Sequence, residues 1–272
     1  MKRLSIPVDI RNTGQVLACC GLFLLVDLRF PEDGPADAWF RLPASGSATF
    51  DIVVHGHASA PDRVASVLQE LAQCETKNVG PSRSPDAIVL GSPFKITIDW
   101  WRRRRALKTW AGNQNPLSIV RACQKAIKNH LHDILEDPLR FSTKLPYSGR
   151  SDRDTQPFCF DSRRMATAVD IGYSPDALGV PREACPVTEL AAFIALQHFQ
   201  PADDNEADST QGMLRPMRYQ TWHVPTPWPV ACAVYCGAAW LPGTRRWRFH
   251  VAPRDDIITG RYKGFTYSQE VQ

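Results

Sequence analysis

Leu4-Ser-Ile-Pro-Val-Asp-Ile10, then Asn12-Thr-Gly14, then Gln15-Val-Leu-Ala-Cys-Cys-Gly-Leu-Phe-Leu-Leu-Val-Asp-Leu28 reads as a short strand, a turn and a helix. The apolar run from Val16 to Val26 is about half of the ~20 residues a membrane-spanning helix needs, so it is expected to be a buried helix. Lys2 and Arg3 precede it, but Asp9 and Arg11 interrupt the approach, which suits a strand and turn better than a signal peptide. Asn12 with Gln15 three residues on is a variant of the capping box. A helix N-terminus also suits a phosphate. Capping is the simpler reading, and Asn12 and Gln15 stand as candidates for both.

Outward from this unit, Trp39–Leu42 and Thr49–Val54 are two strands joined by the Ala44-Ser-Gly-Ser47 turn. Pro61 opens a helix with Val64, Val67, Leu68 and Leu71 on one face. The N-terminal part thus alternates strand, helix, strands, helix. After a Pro/Ser-rich loop from Val79 to Pro85, Ala87–Leu90 and Phe94–Trp101 are expected to pair as strands.

A long helix follows over 116–136, capped by Asn115 with Pro116 in its first position. Val120, Cys123, Ile127, Leu131 and Ile134 make its apolar face. Arg121, Lys125, Lys128 and His132 form a basic stripe roughly 110° away at helical pitch. Residues 143–157 read as polar loop. A strand over Phe158–Phe160 and a helix from Pro186 ending before Pro201 come next, the latter burying Leu190, Phe193, Ile194 and Phe199. Pro201–Pro216 is acidic, polar and expected to be a mobile insertion. Strands over Tyr219–Val224 and Arg246–Val251 flank an apolar segment, Pro229–Leu241. The class is α+β, with mixed or antiparallel sheets packed with helices. The chain divides into an N-terminal part (1–98) and a basic C-terminal part (99–272), or forms one continuous domain.

The 272 residues are 43% hydrophobic, enough to bury a sizeable core. Net charge is only +4, but it is distributed in blocks. From Asp99 to Lys128 one acid faces eight basic side chains: Arg102, Arg103, Arg104, Arg105, Lys108, Arg121, Lys125 and Lys128. A second basic region runs from Arg245 to Lys263, and Asp203, Asp204, Glu206 and Asp208 gather the acids. Cys19, Cys20, Cys232 and Cys236 lie in apolar runs and behave as small buried hydrophobes. With no secretory signal, a reduced cytoplasmic compartment and no membrane partner are expected.

No Walker loop, nucleophile elbow or metalloprotease motif occurs. His55-Gly-His57 follows a strand, but a metal site needs three or four supported ligands, so a strand-end pair is the better reading. No cofactor is implied. Asp99-Trp-Trp-Arg-Arg-Arg-Arg-Ala-Leu-Lys-Thr-Trp-Ala-Gly-Asn-Gln-Asn115 combines cations, aromatics and amides. Cations attract phosphate and aromatics stack on unpaired bases. Asparagine and glutamine read base edges. Arg102, Arg103, Arg104, Arg105, Lys108, Trp110, Asn113, Gln114, Arg121, Lys125 and Lys128 are therefore the candidate nucleic-acid contacts, with a phosphate slot between Arg102–Arg105 and the basic helix. The plainer reading places Trp100, Trp101 and Trp110 in the core and the arginines on an exposed turn.

Several blocks resemble the small large-subunit-like proteins of type I-U (also called I-G) CRISPR effector complexes. They are Val8–Leu22, Asp99-Trp-Trp with Leu107-Lys-Thr-Trp-Ala-Gly-Asn-Gln114, Phe158-Cys-Phe-Asp161, Asp170-Ile-Gly-Tyr-Ser174, Pro186-Val-Thr-Glu-Leu190, and Tyr219-Gln-Thr-Trp222 with Pro225–Pro229. They span nearly the whole chain in order, and none is a catalytic signature. The acidic stretch after Pro201 and the composition of Arg102–Arg105 have no counterpart in the family pattern. The resemblance implies a non-enzymatic subunit of an RNA-guided, Cascade-like complex. It would bind crRNA, target DNA and other effector subunits, help recognise the flanking motif on target DNA, and prepare recruitment of a helicase-nuclease. Lys108, Asn113 and Gln114 would approach the flanking duplex or guide end, and the other cations would hold phosphates. Two alternatives remain open: a metal-independent guide-RNA-processing ribonuclease using His55 or His57, and a purely structural bridging subunit.

Overall fold

The structure, a computed structural model, describes residues 2–43, 47–81, 85–110, 114–146, 155–165, 183–204, 215–253 and 263–271. Among these, fourteen strands pair antiparallel throughout and six α-helices pack against them, an α+β fold.

The N-terminal unit is β1 (Lys2–Pro7), α1 (Thr13–Arg29), β2 (Asp37–Arg41), β3 (Thr49–Val54) and α2 (Ala60–Gln73). Helix α1 is buried from Thr13 to Val26, as an all-round apolar helix must be. Pro61 sits in the first turn of α2, and Val64, Val67, Leu68 and Leu71 face inward. Next come β4 (Thr76–Val79), β5 (Ala87–Leu90) and β6 (Ile96–Ile98), a sheet in that order. The strand expected over Phe94–Trp101 is thus shorter. From Trp100 the chain turns into 3-10 geometry, because the indoles of Trp100 and Trp101 are both drawn into the core instead of alternating.

The helix expected over 116–136 is two helices, α3 (Pro116–Asn129) and α4 (Leu131–Glu136). His130 between them leaves helical geometry at φ −127°, ψ 26°, and its ring packs on Phe141 at 5.2 Å. The apolar spacing continues through Ile134, so periodicity alone does not register the break. His132 consequently falls on α4, off the helix that carries Arg121, Lys125 and Lys128.

The remaining elements are β7 (Thr143–Lys144), β8 (Glu183–Ala184), α5 (Pro186–Ala195), β9 (Ala202–Asp203), β10 (Arg215–Thr221), β11 (Thr226–Pro227), α6 (Trp228–Tyr235), β12 (Arg245–Pro253), β13 (Lys263–Phe265) and β14 (Gln269–Val271). Phe158–Phe160 is no strand but a buried irregular segment. The Phe160 and Asp161 amides donate to the buried Glu189 carboxylate, and Cys159 takes φ 63°. Of the acidic stretch after Pro201, the described residues are held. Asp203 pairs with Arg104, and Asp204, 4% exposed, pairs with Arg248. Glu206 and Asp208 lie outside the described residues, as do Asp170–Ser174.

Segments before and after residue 98 interlock. Strand β11 completes the sheet β1-β3-β2-β11, and Trp222 packs on Phe40 at 5.2 Å while its indole donates to the Ala38 carbonyl at 2.6 Å. Helix α1 lies directly on α5. A Cβ on Gly21 would sit 2.1 Å from the Ala191 carbonyl oxygen, so the two backbones touch there. The C-terminal sheet runs β13-β12-β10-β9, with β14 also on β12. All eight cysteines are free thiols.

Candidate nucleic-acid interface

The arginine run is displayed by what lies beside it. Trp100 donates to the Phe193 carbonyl at 3.0 Å and Trp101 to that of Pro85 at 3.2 Å. The rings of Trp100, Trp101 and Trp110 meet edge to face at 5.6–5.7 Å, packed on Phe193. The Gln197 side-chain carbonyl accepts from the Asp99 and Trp100 amides, and its NH2 donates to Asp99. With the indoles pinned inward, Arg102, Arg103 and Arg105 are exposed. Among the described residues none of the three forms an ion pair. Arg104 differs: half-buried, it donates to the Pro201 carbonyl at 2.6 Å and pairs with Asp203 at 3.2 Å. It anchors the turn to β9.

Lys108 lies over the Trp110 ring at 5.3 Å, and burial, with the Arg105 charge, holds its ammonium below the usual lysine range. Trp110 is 4% exposed. It has no face free for a base, so the stacking role expected of it is corrected to a core role. Asn113 lies outside the described residues; Gln114 is half-buried.

On α3, Asn115 caps through its side-chain oxygen, which accepts from the Leu117 amide at 3.0 Å. Arg121 donates to the Thr76 carbonyl at 2.8 Å and so ties α3 to β4, while Lys125 and Lys128 point into solvent. The arginine turn leaves β6 and Arg121 grips β4. These are opposite edges of one three-stranded sheet, about 10 Å apart by strand spacing. Among the described residues no hydrogen bond or ion pair links the two cation sets across the expected slot.

Asn12 and Gln15 are 0% and 1% exposed. The Asn12 side chain accepts from the Gln15 and Ser162 amides and donates to Asp161, and Gln15 accepts from the Asp9 amide. Every polar atom of Asn12 is spent inside, so the phosphate contact is replaced by capping alone. His55 stands 3.8 Å from Asp37, His57 is exposed, and the Lys2 ammonium donates to the His57 carbonyl. Among the described residues no group of three or more His, Cys, Asp or Glu side chains is placed to hold a metal, and no helix is long and apolar enough to cross a membrane.

Within the basic region Arg245–Lys263, strand register places Arg248 opposite Arg218 and Arg246 opposite Gln220. Comparison of the chain with family models, with curated proteins and with solved structures finds no match in any of the three.

Proposed function

We propose that the chain is a non-catalytic, nucleic-acid-binding subunit of a cytoplasmic, RNA-guided type I CRISPR effector complex of the I-U (I-G) kind. The ordered sequence blocks described above support the family reading. The observation that carries the binding role is the turn bearing Arg102, Arg103 and Arg105. It sets three solvent-facing guanidiniums, without ionic partners among the described residues, on a base fixed by buried tryptophans and by the Arg104–Asp203 pair. Three cations held close together repel one another. A phosphate backbone relieves that repulsion and releases its own counterions on binding. In this reading crRNA and target DNA supply the phosphates, Lys125 and Lys128 extend the contact along α3, and the remaining surface meets other effector subunits. Guide–target pairing carries most of the sequence information, with the protein reading backbone and flanking motif.

The test is a tagged pull-down from native cells, with sequencing of bound short RNA and identification of copurifying proteins. Guide RNA together with other effector subunits is the expected recovery. Recovery of neither, from folded and expressed protein, overturns the family reading.

A further inference from the structure

We infer that the cavity between the loop after β1 and the chain entering β14 is a pocket for an unpaired guanine base. The inference rests on the chain being a nucleic-acid binder, and it adds a base-reading site that uses none of the residues of the arginine turn.

The cavity measures about 750 Å³, within the range of small-molecule sites. Asp9 and Arg11 line it from the loop between β1 and α1, Trp247 from β12, and Tyr267 and Glu270 from the last stretch of chain. The two sides are pinned to each other. The Ser268 amide donates to the Arg11 carbonyl at 2.7 Å. The Tyr219 hydroxyl donates to the Ile10 carbonyl at 3.2 Å and lies 2.8 Å from Ser268 Oγ. At the head of α1 the Asp9 amide donates to the Gln15 side chain at 2.8 Å. A site tied together in this way is shaped in advance, so a ligand need not order it.

The walls select the ligand. Trp247 is buried and spends its indole N–H on Thr221 at 3.0 Å, so it closes the cavity as an apolar floor. Glu270 lies directly across from Trp247 on the neighbouring strand, which puts its side chain on the same face. Tyr267 is 46% exposed and offers its ring to a planar group. Burial, then the Asp9 charge, push its phenol up, so it stays neutral beside that carboxylate. Asp9 and Glu270 supply acceptors. The base edge that presents two adjacent N–H donors to a carboxylate is that of guanine, N1–H and N2–H2, and it is available only in an unpaired base. Charge decides what carries this edge. An exposed arginine stands beside each acid: Arg11 is 3.7 Å from Asp9 and Arg245 is 3.4 Å from Glu270. A bare phosphate would meet the carboxylates, and a cationic peptide side chain would meet the arginines. A neutral base on an anionic backbone suits both, with its donors on the acids and its phosphates on the guanidiniums.

The experiment is fluorescence anisotropy of the purified full chain with labelled 20-nucleotide oligo(U) and oligo(dT), each with and without one central G, and with unlabelled GMP as competitor. The central G is expected to tighten binding roughly tenfold, and inosine in its place, which lacks the 2-amino group, to lose most of that gain. The double variant Asp9→Asn/Glu270→Gln should abolish the preference while plain oligo(U) still binds and the melting temperature is little changed. Tyr267→Ala should weaken binding of the G-containing strand, and Tyr267→Phe should keep it. Competition by GMP at concentrations similar to the G-containing strand assigns the guanine to a free nucleotide; competition only at far higher concentration assigns it to a strand. Equal wild-type affinity with and without G overturns the pocket and leaves the arginine turn standing. A preference that survives in the double variant likewise overturns it. Failure of the wild-type chain to bind any of these probes also overturns it, while the pull-down still decides the effector reading.

Discussion

The Asn12 side-chain amide donates to the Asp161 carboxylate at 2.7 Å, joining residues 149 positions apart inside the protein. Around this bond, Arg163 grips the same carboxylate and also donates to the Leu139 carbonyl, which accepts from Thr188 and Gln15 as well. Chain segments near residues 12, 139, 161 and 188 are thereby fastened at one buried point. A fully satisfied polar cluster of this kind fixes one arrangement of the elements it joins.

Asn12→Ala removes the cap of α1 and leaves the Ser162 amide without its acceptor. A lost cap costs about 1 kcal/mol, and a buried unpaired amide about 1–3 kcal/mol. The expected loss is about 2–4 kcal/mol, read as a lower urea midpoint with an unchanged slope. A change within a few tenths of a kcal/mol would mean that water reaches this site.

Burial pushes the Asp161 carboxyl up, but the hydrogen bonds and charge of Arg163, with bonds from Asn12 and the Arg163 amide, outweigh it and hold the group below the usual carboxylate range. The folded state therefore favours the ionised form. Its contribution is fully present above the unfolded aspartate value of about 3.9 and is lost as pH falls through the lower folded value. Asp161→Asn should lower stability at pH 7 and flatten the acid limb of a stability–pH curve. An acid limb identical to wild type would contradict this assignment.

How much of this was legible in the chain depends on the range of the signal. Asn12, Pro61, and Asn115 with Pro116 announce the starts of α1, α2 and α3, each within the helix's first turn or at its cap, while the Ser59 cap of α2 comes from the structure. His130 interrupts a helix whose apolar spacing continues, and nothing within a turn of it carries that information. Phe158–Phe160 has the composition of a strand, yet its amide partner is Glu189, 28 residues on from Asp161. Of the candidate contacts, Arg102, Arg103 and Arg105 stay in solvent, whereas Trp110 carries the same local signal as a stacking platform and is core. The Arg218–Arg248 row exists only through strand register, which no run of charge along the chain displays.

Trp110 touches Trp100, Trp101, Phe158 and Phe193 within 6.0 Å centroid to centroid. Trp110→Ala is expected to cost about 3–5 kcal/mol, while nucleic-acid affinity of the remaining folded protein stays at the wild-type value. Thermal melting and anisotropy on the same sample measure both. Lost affinity with an unchanged melting temperature would return Trp110 to the binding surface.

Gly21 lets α1 approach α5. A methyl there would meet the Ala191 backbone carbonyl at 2.1 Å, and backbone cannot rotate aside. Gly21→Ala should cost at least the ~1–3 kcal/mol typical of an overpacked core, despite the better helix propensity of alanine. If the variant is as stable as wild type, the two helices are not in contact at this point.

The arginine turn makes a prediction that separates electrostatics from folding. Arg102, Arg103 and Arg105 are exposed, and no ion pair among the described residues depends on them, so replacing all three by alanine should change the melting temperature little. Each phosphate contact contributes about 0.7 to the log–log salt slope for a single strand. Removing three should flatten that slope by about 2 and weaken binding alike for oligo(U) and oligo(dT), since a guanidinium on a phosphate carries no base information. Arg104→Ala should behave differently. It breaks the anchor to Pro201 and Asp203, so the turn loses its fixed position and the melting temperature falls together with the affinity. A triple variant that keeps the full salt slope would place the phosphates elsewhere, with Lys125, Lys128 and Arg246 the next cations to replace.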